Sequence, residues 1–81
     1  MASTLRKTLR TRGHRKLIAV LVTARKSVGL SQRDLAARLR RPRVFVGRNE
    51  AGERRIDVVE FIAIARAMGF DPRQLFAKLL D

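Results

Sequence analysis

Arginine is the residue type whose distribution carries the most chemistry in this chain. Fifteen of its 81 residues are arginine, and four of these fall between Arg40 and Arg48. A guanidinium group is planar and always charged, and it donates paired hydrogen bonds to phosphate oxygens or to O6 and N7 of guanine. Arg43 and Arg48 are five residues apart, so near the start of a helix both can face one groove. This stretch therefore predicts contacts with the phosphates or base edges of nucleic acid.

The overall charge favours the same partner. Nineteen Lys and Arg against seven Asp and Glu give a net charge of +12, whereas a surface that serves solubility alone mixes both signs. An anionic membrane surface is a weaker candidate, because no basic helix carries a Trp-rich or Phe-rich insertion face. An acidic protein surface is the remaining alternative. We expect double-stranded DNA as the partner and no membrane association.

The components of catalytic and metal sites are missing from the sequence. His14 is the single histidine and there is no cysteine, so neither a catalytic triad nor a zinc site can be assembled. Gly47 and Gly52 are not followed by the lysine and hydroxyl residue of a phosphate-binding loop. We expect a protein that is not an enzyme, with no cofactor, no metal and no small-molecule ligand, and with His14 facing solvent.

The sequence contains no recognisable targeting or membrane-spanning segment. The apolar run over residues 17–22 has six residues, well short of the ~18 that a spanning helix needs. No signal-peptide cleavage site follows it, and the lack of cysteine is typical of a reducing compartment. We expect a cytoplasmic, nucleoid-associated protein.

Residues 1–12 contain four cations and no acid, which indicates a basic N-terminal arm. Leu5 and Leu9 are four residues apart, so the arm can also become a short amphipathic helix when it packs on something. The rest of the chain, 13–81, forms one domain. The cations of the arm are candidates for phosphate contacts: Arg6, Lys7, Arg10 and Arg12.

Helix start and stop signals divide 13–81 into five predicted helices. Ser31 with Asp34, and Asp57 with Glu60, have the spacing of capping boxes, and Pro42 suits the first position of a helix. The predicted helices cover about 13–27, 32–40, 42–51, 58–68 and 72–80, and they end at Gly29, Gly52 and Gly69. Asp71 opens the last of them, with Gln74 three residues later. Helical periodicity predicts the following core residues: Leu17, Leu21, Ala24, Val28, Leu35, Ala36, Leu39, Val46, Val58, Phe61, Ile62, Ala65 and Met68. The apolar residues of the last helix are Leu75, Phe76, Leu79 and Leu80.

Four short motifs occur in a characteristic order between residues 25 and 76. They are Arg25-x-x-x-Gly-Leu-Ser-Gln32, Leu35-Ala-x-x-Leu39, Val46-x-x-x-Glu-x-Gly52 and Ile62-x-Ile-Ala-x-Ala-Met-Gly69. In this combination the chain resembles the Cro/repressor-type, or Xre-like, helix-turn-helix family. The resemblance implies an all-α, five-helix bundle of the lambda-repressor-like DNA-binding type.

The resemblance also implies roles for individual residues. Gln32 would contact the DNA backbone and buttress the residue that opens the third helix, the recognition helix. Arg43, Val44 and Arg48 would reach base edges, with phosphate contact alone as the alternative for the two arginines. Arg25 and Glu50 correspond to a partly buried ion pair that ties the first helix to the end of the third.

Other residues around the third helix are candidates on their chemistry. Val44 or Phe45 can meet the methyl group of thymine, although Phe45 is equally explained by packing or by contact with a partner. The domain's candidates for phosphate contacts are polar residues and cations near the second and third helices: Ser31, Arg33, Arg40, Arg41, Arg54 and Arg55.

The chain departs from the family pattern at two positions. Arg40 stands where the turn between the second and third helices usually has glycine, and a positive φ is uncommon for arginine. We therefore expect a turn of altered shape. Asn49 stands in a slot that is usually apolar.

Together these observations predict a sequence-specific DNA-binding transcriptional regulator, acting as a repressor that binds a palindromic operator as a homodimer. Leu79 and Leu80, with Val59 or with Ile18 and Val22, are candidates for the dimer contact, while Leu79 could simply cap the core. One alternative is an antitoxin that binds a toxin protein and regulates its own operon. A second is an adaptor whose helix-turn-helix surface binds proteins.

Overall fold

The computed structural model describes residues 11–80, in which five α-helices occur and no strand. The predictions for residues 1–10, including the arm and its cations Arg6, Lys7 and Arg10, fall outside the described residues. Within 11–80 the prediction of an all-α, five-helix fold is confirmed. The helices are α1 (Arg12–Ser27), α2 (Gln32–Leu39), α3 (Arg43–Glu50), α4 (Val58–Ala67) and α5 (Pro72–Leu79).

The first helix begins one residue earlier than predicted. The hydroxyl of Thr11 accepts a hydrogen bond from the backbone N–H of His14 at 3.2 Å, which caps α1 and places Arg12 in its first turn. His14 is half-buried, and its Nε2 is buried with no hydrogen-bond partner in the described part of the chain. The expectation that this side chain faces solvent was therefore wrong.

The capping box of α2 is present. Ser31 Oγ accepts from the N–H of Asp34 at 3.0 Å, and Asp34 Oδ2 accepts from the N–H of Ser31 at 2.9 Å. The backbone N–H of Ser31, followed by its hydroxyl, stabilises the carboxylate of Asp34 and holds its pKa below the usual value. Two backbone N–H groups at the start of α2, which have no partner within the helix, thus each donate to a side chain three residues away.

The turn after α2 keeps the geometry of a glycine turn although it contains none. Arg40 has φ 55° and ψ 42°, the left-handed conformation, and the N–H of Arg41 donates back to the carbonyl of Ala36 at 3.0 Å. This is the usual way to satisfy the last carbonyls of a helix. The expectation of an altered turn was therefore wrong, because the arginine backbone adopts the strained conformation itself.

The third helix is shorter than predicted by one residue at each end. Pro42 precedes it in an extended conformation and Ala51 follows it. Gly52, with φ 75°, allows the chain to leave the helix. Val46 is 2% exposed and is the inward anchor of α3, as predicted.

The last two helices begin with aspartate caps. The capping box of Asp57 and Glu60 is present at the start of α4. At α5, Asp71 accepts from the N–H of Arg73 at 2.9 Å rather than from that of Gln74. In both helices an aspartate side chain therefore caps the first turn by accepting a hydrogen bond from a backbone N–H group.

The core partly matches the predicted set. Val28 and Val58 are 44% and 72% exposed, so these two core predictions were wrong, and Phe76 and Leu80 at the last helix are also exposed, at 50% and 74%. Ile64, which was not predicted, is 4% exposed. In α4 the cause is that the helix is apolar almost all round, so its sequence allows two neighbouring stripes, and packing on α2 and α5 buries the stripe with Ile64 rather than Val58. The buried apolar residues are Leu21, Ala24, Leu35, Ala36, Val46, Phe61, Ile64, Ala65, Met68 and Leu75.

The helices pack so that one side of α3 stays open. α2 and α3 pack against each other, α1 contacts α3 and α5, and α4 contacts α2 and α5. Among residues 11–80, no helix is both long and apolar enough to cross a bilayer.

Candidate nucleic-acid interface

The recognition helix α3 has two distinct faces. Positions 45, 46, 49 and 50 are buried or half-buried and point toward the other helices. Positions 43, 44 and 48 are exposed, with position 47 between them. This division follows from helical periodicity. It leaves Arg43, Val44 and Arg48 together on the outer face, and Val44 is 55% exposed.

Phe45 lies on the other face, between two cations. The guanidinium of Arg41 is 4.3 Å from the centroid of its ring and that of Arg54 is 4.8 Å from it. Both distances are typical of cation–π contacts. The ring also packs against the core. Of the two side chains considered for thymine contact, Val44 is therefore the one on the outer face.

Asn49 is buried, 4% exposed, and its side-chain oxygen has a hydrogen-bond partner. Its Oδ1 accepts from Nη1 of Arg54 at 2.8 Å. Arg54 also donates to both carboxylate oxygens of Glu60, at 3.2 Å and 2.8 Å. The polar residue in this slot is thus matched by a polar partner from the loop after α3, and α3 remains anchored.

Glu60 joins this loop to the turn before α3. The hydrogen bonds from Arg54 are the main cause that lowers the pKa of Glu60 below its usual value, and Arg41 adds a smaller attraction. Arg41 Nη2 is 3.7 Å from Oε2 of Glu60. Arg41, Phe45, Asn49, Arg54 and Glu60 therefore form one cluster, which we call the Glu60 cluster, along the inner side of α3.

Arg25 and Glu50 form a bidentate ion pair between α1 and the end of α3. Arg25 Nε donates to Glu50 Oε2 at 2.7 Å and Nη2 donates to Oε1 at 2.8 Å. The third nitrogen, Nη1, donates to the carbonyl of Leu30 at 2.8 Å. The hydrogen bond with Glu50 raises the pKa of Arg25 above its usual value. Both side chains are nearly buried, so the pair is shielded from water.

Gln32 contacts the end of α3 rather than its beginning. Its Nε2 donates to Oε1 of Glu50 at 2.9 Å. The resemblance implied a buttress for the residue that opens the recognition helix. The amide instead ties the first residue of α2 to the last residue of α3.

The candidates for phosphate contacts differ in their exposure and in whether their side chains already bond to other residues of the protein. Arg54 is half-buried and occupied by Asn49 and Glu60, a role that sequence reasoning missed although Glu60 follows only six residues later. Arg38, also not singled out, donates to the carbonyl of Ala67 at the end of α4 at 2.9 Å. The exposed candidates within residues 11–80 are Arg12, Ser31, Arg33, Arg40, Arg41 and Arg55.

Within residues 11–80 no three His, Cys, Asp or Glu side chains lie close enough together to hold a metal ion.

The chain is similar in sequence and structure to known helix-turn-helix proteins. A family model described as a helix-turn-helix domain matches residues 4–79. An XRE-family-like protein from Pseudomonas syringae pv. tomato is 43% identical, with a TM-score of 0.84 over 91% of this chain and 90% of that one. Among proteins of curated function none matches.

Two restriction–modification controller proteins also share the fold. C.AhdI from Aeromonas hydrophila is 35% identical, with a TM-score of 0.70 over 78% of this chain and 96% of that one. A single-residue variant of another controller protein is 21% identical, with a TM-score of 0.79 over 86% of this chain and 89% of that one, and it shows the fold alone. The chain belongs to the helix-turn-helix family of XRE-like DNA-binding transcriptional regulators.

Proposed function

We propose that this protein is a sequence-specific repressor that inserts α3 into the major groove of duplex DNA. The observation that carries the proposal is the outer face of α3, on which Arg43, Val44 and Arg48 are exposed while the inner face is anchored to the fold. Each arginine can donate two hydrogen bonds to guanine, and Val44 can meet a thymine methyl. An α-helix fits the width of this groove.

Phosphate contacts would hold α3 in the groove. Ser31 and Arg33 lie at the start of α2, and Arg40 and Arg41 lie in the turn before α3, all four exposed. Cations on both sides of a recognition helix fix its register on the two strands. Each phosphate neutralised adds about 0.9 to the slope of log K against log salt concentration, so binding should weaken steeply with salt.

A second copy of the chain would supply the DNA contacts that a single recognition helix is too short to make. The eight residues of α3 span about 12 Å, which reaches only a few base pairs. Paired half-sites on one palindrome double the contact area. Two copies that each carry +12 repel one another, so the pairing surface should be apolar and poor in cations.

The exposed side chains of Val58, Phe76 and Leu80 fit this requirement. They line an open cavity of about 350 Å³ between α4 and α5, in which the one lysine or arginine is Arg73. Of the other dimer candidates, Val59 is 76% exposed but lines a different cavity, which it shares with Arg41. Ile18 and Val22 are half-buried, and Leu79 is half-buried against the core.

Selection of bound duplexes from a random pool tests the proposal. We expect a palindromic motif whose half-sites are separated by about one helical turn, or a multiple of it. The motif should be bound at least 10³-fold more tightly than random DNA at about 150 mM salt. Equal binding to the motif and to random DNA would exclude a sequence-specific regulator.

A restriction–modification controller is a second candidate role, favoured by the 35% identity to C.AhdI. If the selected motif lies upstream of genes for a DNA methyltransferase and an endonuclease, this role is supported. If it lies only upstream of unrelated genes, the role is excluded. The toxin-binding alternative gains no support from these similarities.

A further inference from the structure

Gly47 is half-buried on the outer face of α3, one helical turn from both Arg43 and Ala51, and it lies between Arg43 and Val44 around the helix axis. Its φ is not positive, since the glycines with positive φ among residues 11–80 are Gly29, Gly52 and Gly69. An ordinary helical backbone accepts any L-residue. In such a position glycine weakens the helix relative to alanine, because it loses more conformational freedom on folding.

Packing inside the protein does not call for glycine at this position either. A Cβ placed on Gly47 would have Oε1 of Gln32 as its nearest neighbour, at 3.7 Å. That distance is an ordinary van der Waals contact. A methyl group therefore fits without moving anything, and α3 carries a destabilising residue for which the described residues give no structural reason.

We propose that the missing side chain of Gly47 is a DNA-docking feature, which lets the backbone of α3 approach the floor of the major groove. The inference rests on the proposed function. Glycine commonly occupies positions where a backbone must come close to a ligand. The amide oxygen of Gln32, which makes no hydrogen bond in the described part of the chain, borders the same gap and would be covered by a larger side chain.

The variant Gly47→Ala separates this role from a structural one, because the two expected effects have opposite signs. The midpoint of thermal unfolding should rise by about 2–8 °C. Affinity for the selected operator should fall roughly tenfold, since a methyl group inserted into a close-packed contact forces the surfaces apart. Binding to random duplex DNA should stay within about twofold, because it depends on phosphate contacts and not on groove depth.

Two further variants complete the experiment. Gly13→Ala makes the same chemical change in α1, where nothing lies within 4 Å of the added methyl, and should leave operator affinity unchanged. Gly47→Leu should lose more operator affinity than Gly47→Ala, because leucine keeps good helix propensity and adds volume.

The outcomes are distinguishable. Unchanged operator affinity in Gly47→Ala overturns the inference, and so does a fall in the unfolding midpoint, which would assign the glycine to the fold. Equal losses on operator and random DNA overturn it as well. If the unmodified protein selects no sequence from the pool, the proposed function itself has failed.

Discussion

Oε1 of Glu50 accepts a hydrogen bond from Gln32 Nε2 at 2.9 Å and another from Arg25 Nη2 at 2.8 Å. One carboxylate oxygen thus joins α1, the first residue of α2 and the last residue of α3. The Glu60 cluster holds the other side of the same helix through Asn49 and Phe45. The recognition helix is therefore held by side chains from both its neighbours and the loop after it, which fixes its outer face in one orientation.

Removing Glu50 should destabilise the protein strongly. In Glu50→Ala the nearly buried guanidinium of Arg25 loses its charge partner, and we expect the free energy of unfolding in urea to fall by about 3 kcal/mol. The double variant Arg25→Met with Glu50→Leu should lose less than Glu50→Ala, because no charge is then left unpaired. A loss below about 1 kcal/mol in Glu50→Ala would contradict the anchoring role of this pair.

Replacing Arg40 by glycine should stabilise the fold and weaken DNA binding. Glycine relieves the left-handed strain at φ 55°, which is worth about 1 kcal/mol. The lost cation should lower affinity for all sequences alike and reduce the salt slope by about 1. Arg40→Ala is the control, since it loses the cation and keeps the strain. An unchanged salt slope in both variants would remove Arg40 from the phosphate contacts.

Replacing Arg43 or Arg48 should change the base preference of the protein, whereas replacing a phosphate-contact candidate should weaken binding to all sequences alike. Arg43→Ala or Arg48→Ala should cost about 1–3 kcal/mol on the preferred operator and relax the base preference at one position of the motif. Arg33→Ala, at the exposed start of α2, should weaken operator and random DNA equally. Repeating the selection from random DNA with each variant measures this. An unaltered motif in both recognition-helix variants would limit these two arginines to phosphate contact.

Acid should destabilise the protein through Glu60. Its pKa is lowered in the folded state, so the group stabilises the fold above its unfolded pKa of about 4.3, and this contribution is lost as pH falls through the folded value. Denaturant unfolding from pH 7 to pH 3 should show stability declining below about pH 5. Glu60→Gln should start less stable at pH 7 and decline less on acidification. Parallel pH profiles would show that Glu60 does not contribute.

The apolar surface of Val58, Phe76 and Leu80 should be needed for pairing of two copies. We expect Leu80→Lys to be monomeric in analytical ultracentrifugation, since it places two cations in the interface of an already basic protein. It should bind a full palindrome no better than a single half-site. Val28→Lys, also on an exposed apolar residue, is the matched control and should leave pairing intact. A dimeric Leu80→Lys would place the interface elsewhere.

Several features of this protein can be predicted from the sequence because they depend on residues close together in the chain. The capping boxes at Ser31 and Asp57 join side chains and backbone groups three residues apart, so spacing alone identifies them. The apolar anchor Val46 and the exposed arginines of α3 follow from a period of 3.6 residues. The net charge that favours DNA is a property of composition.

Tertiary structure decided the features that depend on which faces of the helices meet. The sequence allowed either Val44 or Phe45 on the outer face of α3, and the position of Arg41 and Arg54 around Phe45 settled it. The match of Asn49 with Arg54 required the loop after α3 to fold back. The exposure of Val58, Phe76 and Leu80 arose because α4 and α5 each carry apolar residues on more sides than their neighbours cover. A local pattern gives the apolar stripes that a helix offers, and only packing selects the one that is buried.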